Sequence, residues 1–323
     1  MLRVVFMGTF PASLAVPVRR HLSVPCEVSV SEEVGVISRL SEADVLVTLA
    51  LTPEIGRAAT RVRLVQVPGA GLDRIDRSAL PSGVALANVY GHETGIAEYV
   101  IGAMLTLTRE FTRVDAALRA GEWTSQWAVG IKPPPPWPEL AGRTIGILGY
   151  GRIGEAVARR ARAFDMKICT IRRSAHGNSE DPDVLGGPDM TDEVLRCSDY
   201  VVIAMPATPE TIGSIDRRRL GLLKPTAFLV NVSRAEIVDE DALYEALARR
   251  SIAGAALDVW YRYPRAPGPT APATRPFRQL PNVLMTPHSS GWTDGMLETR
   301  AQLIAENIRR VLHGETPLNL VAG

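Results

Sequence analysis

Gly149, Gly151 and Gly154 close the run I-G-I-L-G-Y-G-R-I-G that starts at Ile145. The apolar residues before Gly149 read as a short buried strand, and a helical pattern begins at Glu155, so G-x-G-x-x-G stands where dinucleotide binding needs it. The first glycine permits a tight turn. The second lets the backbone approach a pyrophosphate, and the third lets the helix pack against its strand. Arg152 and Ile153 stand between the second and third glycines as candidate cofactor contacts, and the helix that follows offers unpaired N–H groups and a positive dipole end to phosphate. About twenty residues on, a carboxylate would accept hydrogen bonds from ribose hydroxyls and repel a 2′-phosphate. Arg172, Arg173 and Ser174 occupy that place instead. Guanidinium groups grip phosphate in two-pronged fashion, so NADP is expected in preference to NAD.

These groups need a sheet to hold them. Lys167–Ile171, Tyr200–Ala204, Phe228–Val232, Ala253–Val259 and Val283–Thr286 read as further strands. Pro206 and Thr211, Val232 and Arg234, Asp258, and His288 lie at or just beyond the ends of the later strands. In one parallel sheet they converge on its C-terminal edge, where open α/β folds bind ligands. A smaller α/β unit precedes this one, with strands at Leu2–Met7, Val45–Thr48, Leu64–Val67 and Val84–Ala87. Its loop Pro68–Asp73 reads either as a flexible turn or as a nest of amides for a small anion. From Ile96 to about Ala120, Ile101, Leu105, Val114 and Leu118 keep helical spacing, and Gly121 is a natural stop. His92 and Glu93 precede this helix, in a solvated loop or facing a cleft. Trp123 to Trp137 contains three tryptophans and Pro133–Pro136. It reads as a stiff excursion whose tryptophans need a partner, at a subunit interface or as a flap over the site.

Composition narrows the classes. The 323 residues are 46% hydrophobic, enough for two cores, and the net charge is +1. That balance excludes nucleic acid and an anionic membrane as expected partners. No run is long enough to span a bilayer and no signal-peptide pattern opens the chain, so a cytoplasmic protein is expected. Cys26, Cys169 and Cys197 are scattered, which suggests neither disulfides nor a zinc site, and no metal is expected.

The order of these motifs resembles the D-isomer-specific 2-hydroxy acid dehydrogenases over most of the chain. The resemblance rests on G-A-G-L-D at Gly69–Asp73, the fingerprint, P-A-T-P-E-T from Pro206, N-V-S-R-A-E-I-V-D-E-D-A-L from Asn231, A-A-L-D-V, and T-P-H-S-S-G-W-T from Thr286. It implies an α/β fold of two doubly wound parallel-sheet domains. A Rossmann cofactor domain, residues 94–289, is inserted into a flavodoxin-like substrate domain, residues 1–93 and 290–323, with Gln302–Leu312 as the returning helix. It implies that Arg234 binds the carboxylate and carbonyl oxygen of a small anionic substrate, and that His288 is the general acid for reduction or base for oxidation. The Ala70 and Gly71 amides would hold the carboxylate. Pro206, Thr211, Val232 and Asp258 match positions that contact the cofactor. A homodimer through residues 96–137 is implied as well. The expected reaction is reduction of a 2-oxo acid such as glyoxylate, hydroxypyruvate or a phosphonate analogue. Formate or phosphite oxidation, and a non-catalytic corepressor-like role, are the alternatives. Against phosphite, the Pro68–Leu72 loop lacks a lysine; against the corepressor, both Arg234 and His288 are present.

One position departs from the family. A glutamate in D-V-F-x-x-E-P there orients the catalytic histidine and stabilises the imidazolium, whereas this chain has Tyr263, which completes the catalytic set with Arg234 and His288. A phenol supplies no negative charge at pH 7. The histidine is therefore expected to have a lowered pKa and to be a poorer proton donor near neutrality. Spacing leaves open whether Tyr263 reaches His288, or whether Glu93 or Glu236 takes the glutamate's place. Ala235, where the family has glycine, is a smaller change.

Overall fold

The structure, a computed structural model, describes residues 1–31, 37–130, 132–173, 182–264 and 266–321. Its chain divides into two units, Met1–His92 with Trp292–Gly323, and Glu93–Gly291.

The first unit is a five-stranded parallel sheet of β1 (Leu2–Met7), β2 (Cys26–Ser31), β3 (Val45–Thr48), β4 (Leu64–Gln66) and β5 (Ala85–Ala87), in the order β2-β1-β3-β4-β5. Alternate side chains of β1 serve opposite faces, as the twofold repeat of a strand requires. Val4 and Phe6 pack with α1 (Thr9–His21) and with Ala301, Ile304 and Ile308 of the last helix, α10 (Asp294–Leu312). Val5 and Met7 pack on the other side with Leu40 of α2 (Ile37–Leu40) and Ile55 of α3 (Pro53–Ala58). Two features go beyond the sequence reading. β2 is an edge strand whose C-E-V-S-V-S pattern is too polar to register as an apolar run. And α10 starts at Asp294, well before Gln302, because the Thr293 hydroxyl caps it by accepting the Met296 N–H.

The second unit is a seven-stranded parallel sheet of β6 (Thr144–Leu148), β7 (Lys167–Ile171), β8 (Val184–Gly186), β9 (Tyr200–Ile203), β10 (Phe228–Asn231), β11 (Gly254–Leu257) and β12 (Val283–Met285). Its order is β12-β11-β10-β9-β6-β7-β8. The central strands β6, β9, β10 and β11 are buried on both faces and read as near-continuous apolar runs. Ile147, Val202 and Val230 meet α4 (Glu93–Arg109) and α6 (Arg152–Arg162) on one face. Ile203, Leu229 and Leu257 meet α7 (Thr191–Cys197), α8 (Arg217–Leu220) and α9 (Glu240–Ala248) on the other.

The single helix expected from Ile96 to Ala120 is in fact two. Glu110 takes a left-handed conformation, φ 50°, and separates α4 from α5 (Phe111–Arg119). Apolar spacing runs through the break, so periodicity alone did not reveal it. No α5 residue is buried in the chain. Among the described residues no helix is long and apolar enough to cross a membrane.

Candidate active site

The register of the second sheet lines up the strand ends. Ile171, Leu148, Ile203, Asn231, Leu257 and Met285 form a continuous row of paired positions, and every strand in it points the same way. The residues that follow each of them therefore gather at one edge. From β6 the chain moves outward to β7 and later returns on the opposite side to β9, so the order reverses between β6 and β9. In open α/β sheets such a switch point, at the C-terminal edge, is where ligands bind.

The three glycines at this switch act for three different reasons. Gly149 has φ +106°, and a Cβ there would lie 2.4 Å from the backbone nitrogen of Met205. A Cβ on Gly154 would lie 2.4 Å from the Gly149 carbonyl oxygen, so only glycine lets the helix sit this close. Gly151, by contrast, has no heavy atom of the described residues within 4 Å of its ideal Cβ position. Its space is open, and no side chain caps the N-terminus of α6 behind it. Arg152 is exposed and Ile153 half-buried at the first turn. An open backbone at an uncapped helix start fits a pyrophosphate. At the end of β7, Arg172 is half-buried and Arg173 exposed; Ser174 lies outside the described residues.

The loop after β9 is tied internally. The Thr211 hydroxyl donates to the Pro206 carbonyl at 2.7 Å and accepts the Thr208 N–H at 2.7 Å, so it shapes this loop itself. After β10, the Asn231 amide makes the corresponding brace: it accepts the Ser233 N–H at 3.1 Å and donates to the Arg234 carbonyl at 3.0 Å. Ser233 donates its hydroxyl to the Met205 carbonyl, joining the two loops. Val232 is buried beneath this turn, and Arg234 is half-buried, one guanidinium nitrogen donating to the Ser233 carbonyl at 2.8 Å. Ala235 has a negative φ, so its methyl group is accommodated where the family has glycine.

Asp258 organises the remaining edge. It is fully buried, and its two carboxylate oxygens accept hydrogen bonds from the Thr286 hydroxyl at 2.6 Å, the Ser289 N–H at 2.9 Å and the Ser290 N–H at 3.0 Å. These bonds hold the chain on both sides of His288, which takes the left-handed conformation at φ 57°. A non-glycine residue there costs about a kilocalorie or more, and three charge-assisted bonds offset it. Thr286 spends its only proton on Asp258, so Tyr99 must be the donor in their 2.7 Å contact. Burial pushes the Tyr99 phenol up to about 12, which keeps it a donor.

The His288 ring meets Tyr263, with the phenolic oxygen 2.8 Å from Nδ1. Trp260 binds both ends of this arrangement, its indole N–H reaching the Thr286 carbonyl at 2.8 Å and its backbone N–H reaching the Tyr263 oxygen at 3.3 Å. Surrounding protein desolvates His288 and lowers its pKa below 6.5; Asp258 opposes this and Arg234 adds to it. The ring still keeps an exposed edge, so a ligand covering that edge would deepen the desolvation. Among the described residues Tyr263 is the ring's sole hydrogen-bond partner, and neither Glu93 nor Glu236 takes the place of the missing glutamate. Tyr99, Asn231, Trp260 and Thr286 were not singled out from the sequence. Thr286 stood in the T-P-H motif, but Tyr99 lies on a helix face with nothing in its spacing to mark it.

In the first unit the Pro68–Asp73 loop is anchored from below. The Asn88 amide donates to the Ala70 carbonyl at 3.1 Å, and the Val89 N–H to the Gly69 carbonyl at 3.3 Å, while Gly71 is exposed.

Comparison with known proteins agrees with this geometry. Residues 101–290 match the family model for the D-isomer specific 2-hydroxyacid dehydrogenase, NAD binding domain. The chain is 37% identical over 294 residues to a glyoxylate reductase of Pyrococcus furiosus, covering 88% of this chain and 84% of that protein. An acyclic imino acid reductase solved with NADPH and D-Arg superposes with a TM-score of 0.82 at 26% identity, covering 100% of both chains. The NADPH-dependent glyoxylate/hydroxypyruvate reductase of Sinorhizobium meliloti gives 0.81 at 26% identity, covering 100% of this chain and 98% of the other.

Proposed function

The chain belongs to the D-isomer-specific 2-hydroxy acid dehydrogenases, and from that premise we propose that it reduces glyoxylate, hydroxypyruvate or a similarly small 2-oxo acid, with NADPH as the preferred donor. It is an oxidoreductase that moves a hydride between a nicotinamide cofactor and a 2-oxo or 2-hydroxy acid. The observation that supports the finer reading is the shared sheet edge, where Arg234 and the His288–Tyr263 pair stand beyond the same row of strand ends as the open Gly151 backbone.

When bound, the reduced nicotinamide supplies a hydride to the carbonyl carbon. The residues proposed to hold it are Gly149, Gly151, Arg152, Ile153 and Gly154 at the pyrophosphate, Arg172, Arg173 and Ser174 at the 2′-phosphate, and Pro206, Thr211, Val232 and Asp258 at the nicotinamide half. Arg234 grips the substrate carboxylate and stabilises the negative charge that develops on the carbonyl oxygen. His288 gives that oxygen a proton. In the first unit, the Ala70 and Gly71 amides bind the carboxylate. Residues 1–93 and 290–323 thus form the substrate domain and 94–289 the cofactor domain.

The test is the rate of NADPH and NADH oxidation against a panel of 2-oxo acids. Binding of both cofactors with no turnover would return the protein to the corepressor-like class. A 2-imino acid is a second reading. His288 is paired with a phenol and not a carboxylate, and a protonated imine needs no acid. Turnover that appears only when ammonia or an amine accompanies the oxo acid would select it.

For the cofactor, Arg172→Asp is expected to shift the NADPH:NADH preference in kcat/KM by roughly 10²-fold toward NADH, since it removes a phosphate partner and adds a repelling charge. An unchanged ratio would move the 2′-phosphate site elsewhere. We also propose a homodimer through residues 96–137. Phe111, Leu118, Trp123 and Trp127 are all exposed in the single chain, Trp127 by 76%, more apolar surface than a monomer usually leaves in one stretch. Equilibrium sedimentation should give twice the chain mass; a monomer at micromolar concentration would contradict this.

A further inference from the structure

Among the described residues the Tyr263 hydroxyl has two hydrogen-bond partners, the Trp260 N–H and His288 Nδ1. A backbone N–H can only donate, so it takes a lone pair of the phenolic oxygen. The phenol's own proton and a second lone pair remain for the Nδ1 contact, and the phenol is the donor in one of its two directions. An imidazole that accepts at Nδ1 carries its proton on Nε2 and is neutral. Such a ring has no surplus proton, and unaided loss of the one on Nε2 would leave an imidazolate. A family dyad avoids this with a glutamate and an imidazolium; among the described residues no carboxylate bonds this ring.

We propose, resting on the reductase reading, that the Tyr263 phenol donates to Nδ1, that it is the source of the proton delivered to the substrate oxygen and that His288 is the relay. As the carbonyl carbon takes the hydride, the π-electron pair moves onto oxygen, which takes the Nε2 proton. The bonding pair left on the ring is matched at Nδ1 by the phenolic proton, so the imidazole ends neutral with its proton positions exchanged. Tyr263 is left as a phenolate; Nε2 then takes a proton from water at the exposed His288 ring and Nδ1 returns its proton to the phenolate, which restores the starting tautomer. The charged groups acting on the phenol are Arg234, which favours the phenolate, and Glu236 and Asp258, which oppose it. Those acting on the ring are Asp258 and Arg234.

The relay has a distinctive pH signature for reduction. The proton resides on the phenol, whose desolvated hydroxyl has its pKa raised above 10, so wild-type kcat/KM stays level from about pH 7 to pH 9. An imidazolium acid, with a pKa below 6.5, would instead lose activity as pH rises through that value. Tyr263→Phe removes the phenolic proton and leaves His288 to act as the imidazolium. Its kcat should fall about tenfold per pH unit above the histidine pKa, be more than roughly 10²-fold below wild type at pH 8.5, and recover as the pH is lowered. Tyr263→Glu restores a carboxylate and raises the histidine pKa, so its activity should decline within the range where wild type is level. In mixed H₂O and D₂O, wild type should show two protons in flight and Tyr263→Phe one.

A wild-type profile that falls through a single pKa below 6.5, with Tyr263→Glu extending activity to higher pH, would overturn the relay while leaving the reductase reading intact. So would a Tyr263→Phe enzyme slowed by the same factor at every pH. Absence of wild-type turnover with every oxo acid would overturn both.

Discussion

Arg234→Met should lower kcat/KM for the 2-oxo acid by roughly 10³-fold, about 4 kcal/mol of transition-state stabilisation, with little change in thermal stability. The asymmetry follows from how the side chain is held. The backbone of Arg234 is fixed by the Asn231 brace, which the substitution leaves in place. The side chain is half-buried and methionine keeps its apolar stem, so the loss to folding is about 1 kcal/mol or less. In the proposed reaction, however, the guanidinium both binds the carboxylate and meets the charge growing on the carbonyl oxygen. Arg234→Lys retains the charge without the fork and should fall between the two. Steady-state kinetics alongside thermal unfolding separates the effects. If Arg234→Met retains kcat/KM within a factor of three, the substrate is not held there.

Asp258→Ala should show the opposite emphasis, destabilising the Glu93–Gly291 unit by roughly 3–5 kcal/mol as well as lowering kcat. Removing the fully buried carboxylate takes the acceptor from the Thr286 hydroxyl and from two backbone N–H groups, of which that of Ser290 is buried. It also releases the Ser289–Ser290 segment that keeps His288 in its left-handed conformation. Asp258→Asn keeps one acceptor but turns an amide N–H toward a backbone N–H, so about half the loss is expected. Denaturant unfolding monitored by tryptophan fluorescence gives the energies. A midpoint unchanged in Asp258→Ala would mean that the buried carboxylate does not carry this loop.

Both predictions concern groups that were visible in the sequence, but for different reasons than the structure supplies. Asp258 was marked by its likeness to cofactor-contacting positions, and its three internal bonds are a property of where β11 and β12 end in the register. Thr211 was marked in the same way and turns out to close its own loop. The break at Glu110, the edge strand β2 and the early start of α10 were missed because each depends on one dihedral angle, one polar alternation or one capping hydroxyl, which leave the average apolar pattern unchanged.

Sequence alone was enough for the two α/β units, the glycine fingerprint with the absence of a carboxylate after β7, and the substitution of Tyr263 at the dyad position. These are local facts: strand and helix periods, and the need for glycine at a turn, are written in neighbouring residues. Whether the phenol reaches the imidazole was not. Tyr263 and His288 are 25 residues apart in the chain, and their 2.8 Å contact exists because β11 and β12 pair in register while Asp258 and Trp260 hold the two following loops. Distance between residues far apart in sequence is set by pairing and packing, so whether the phenol can meet the imidazole at all belongs to the tertiary structure.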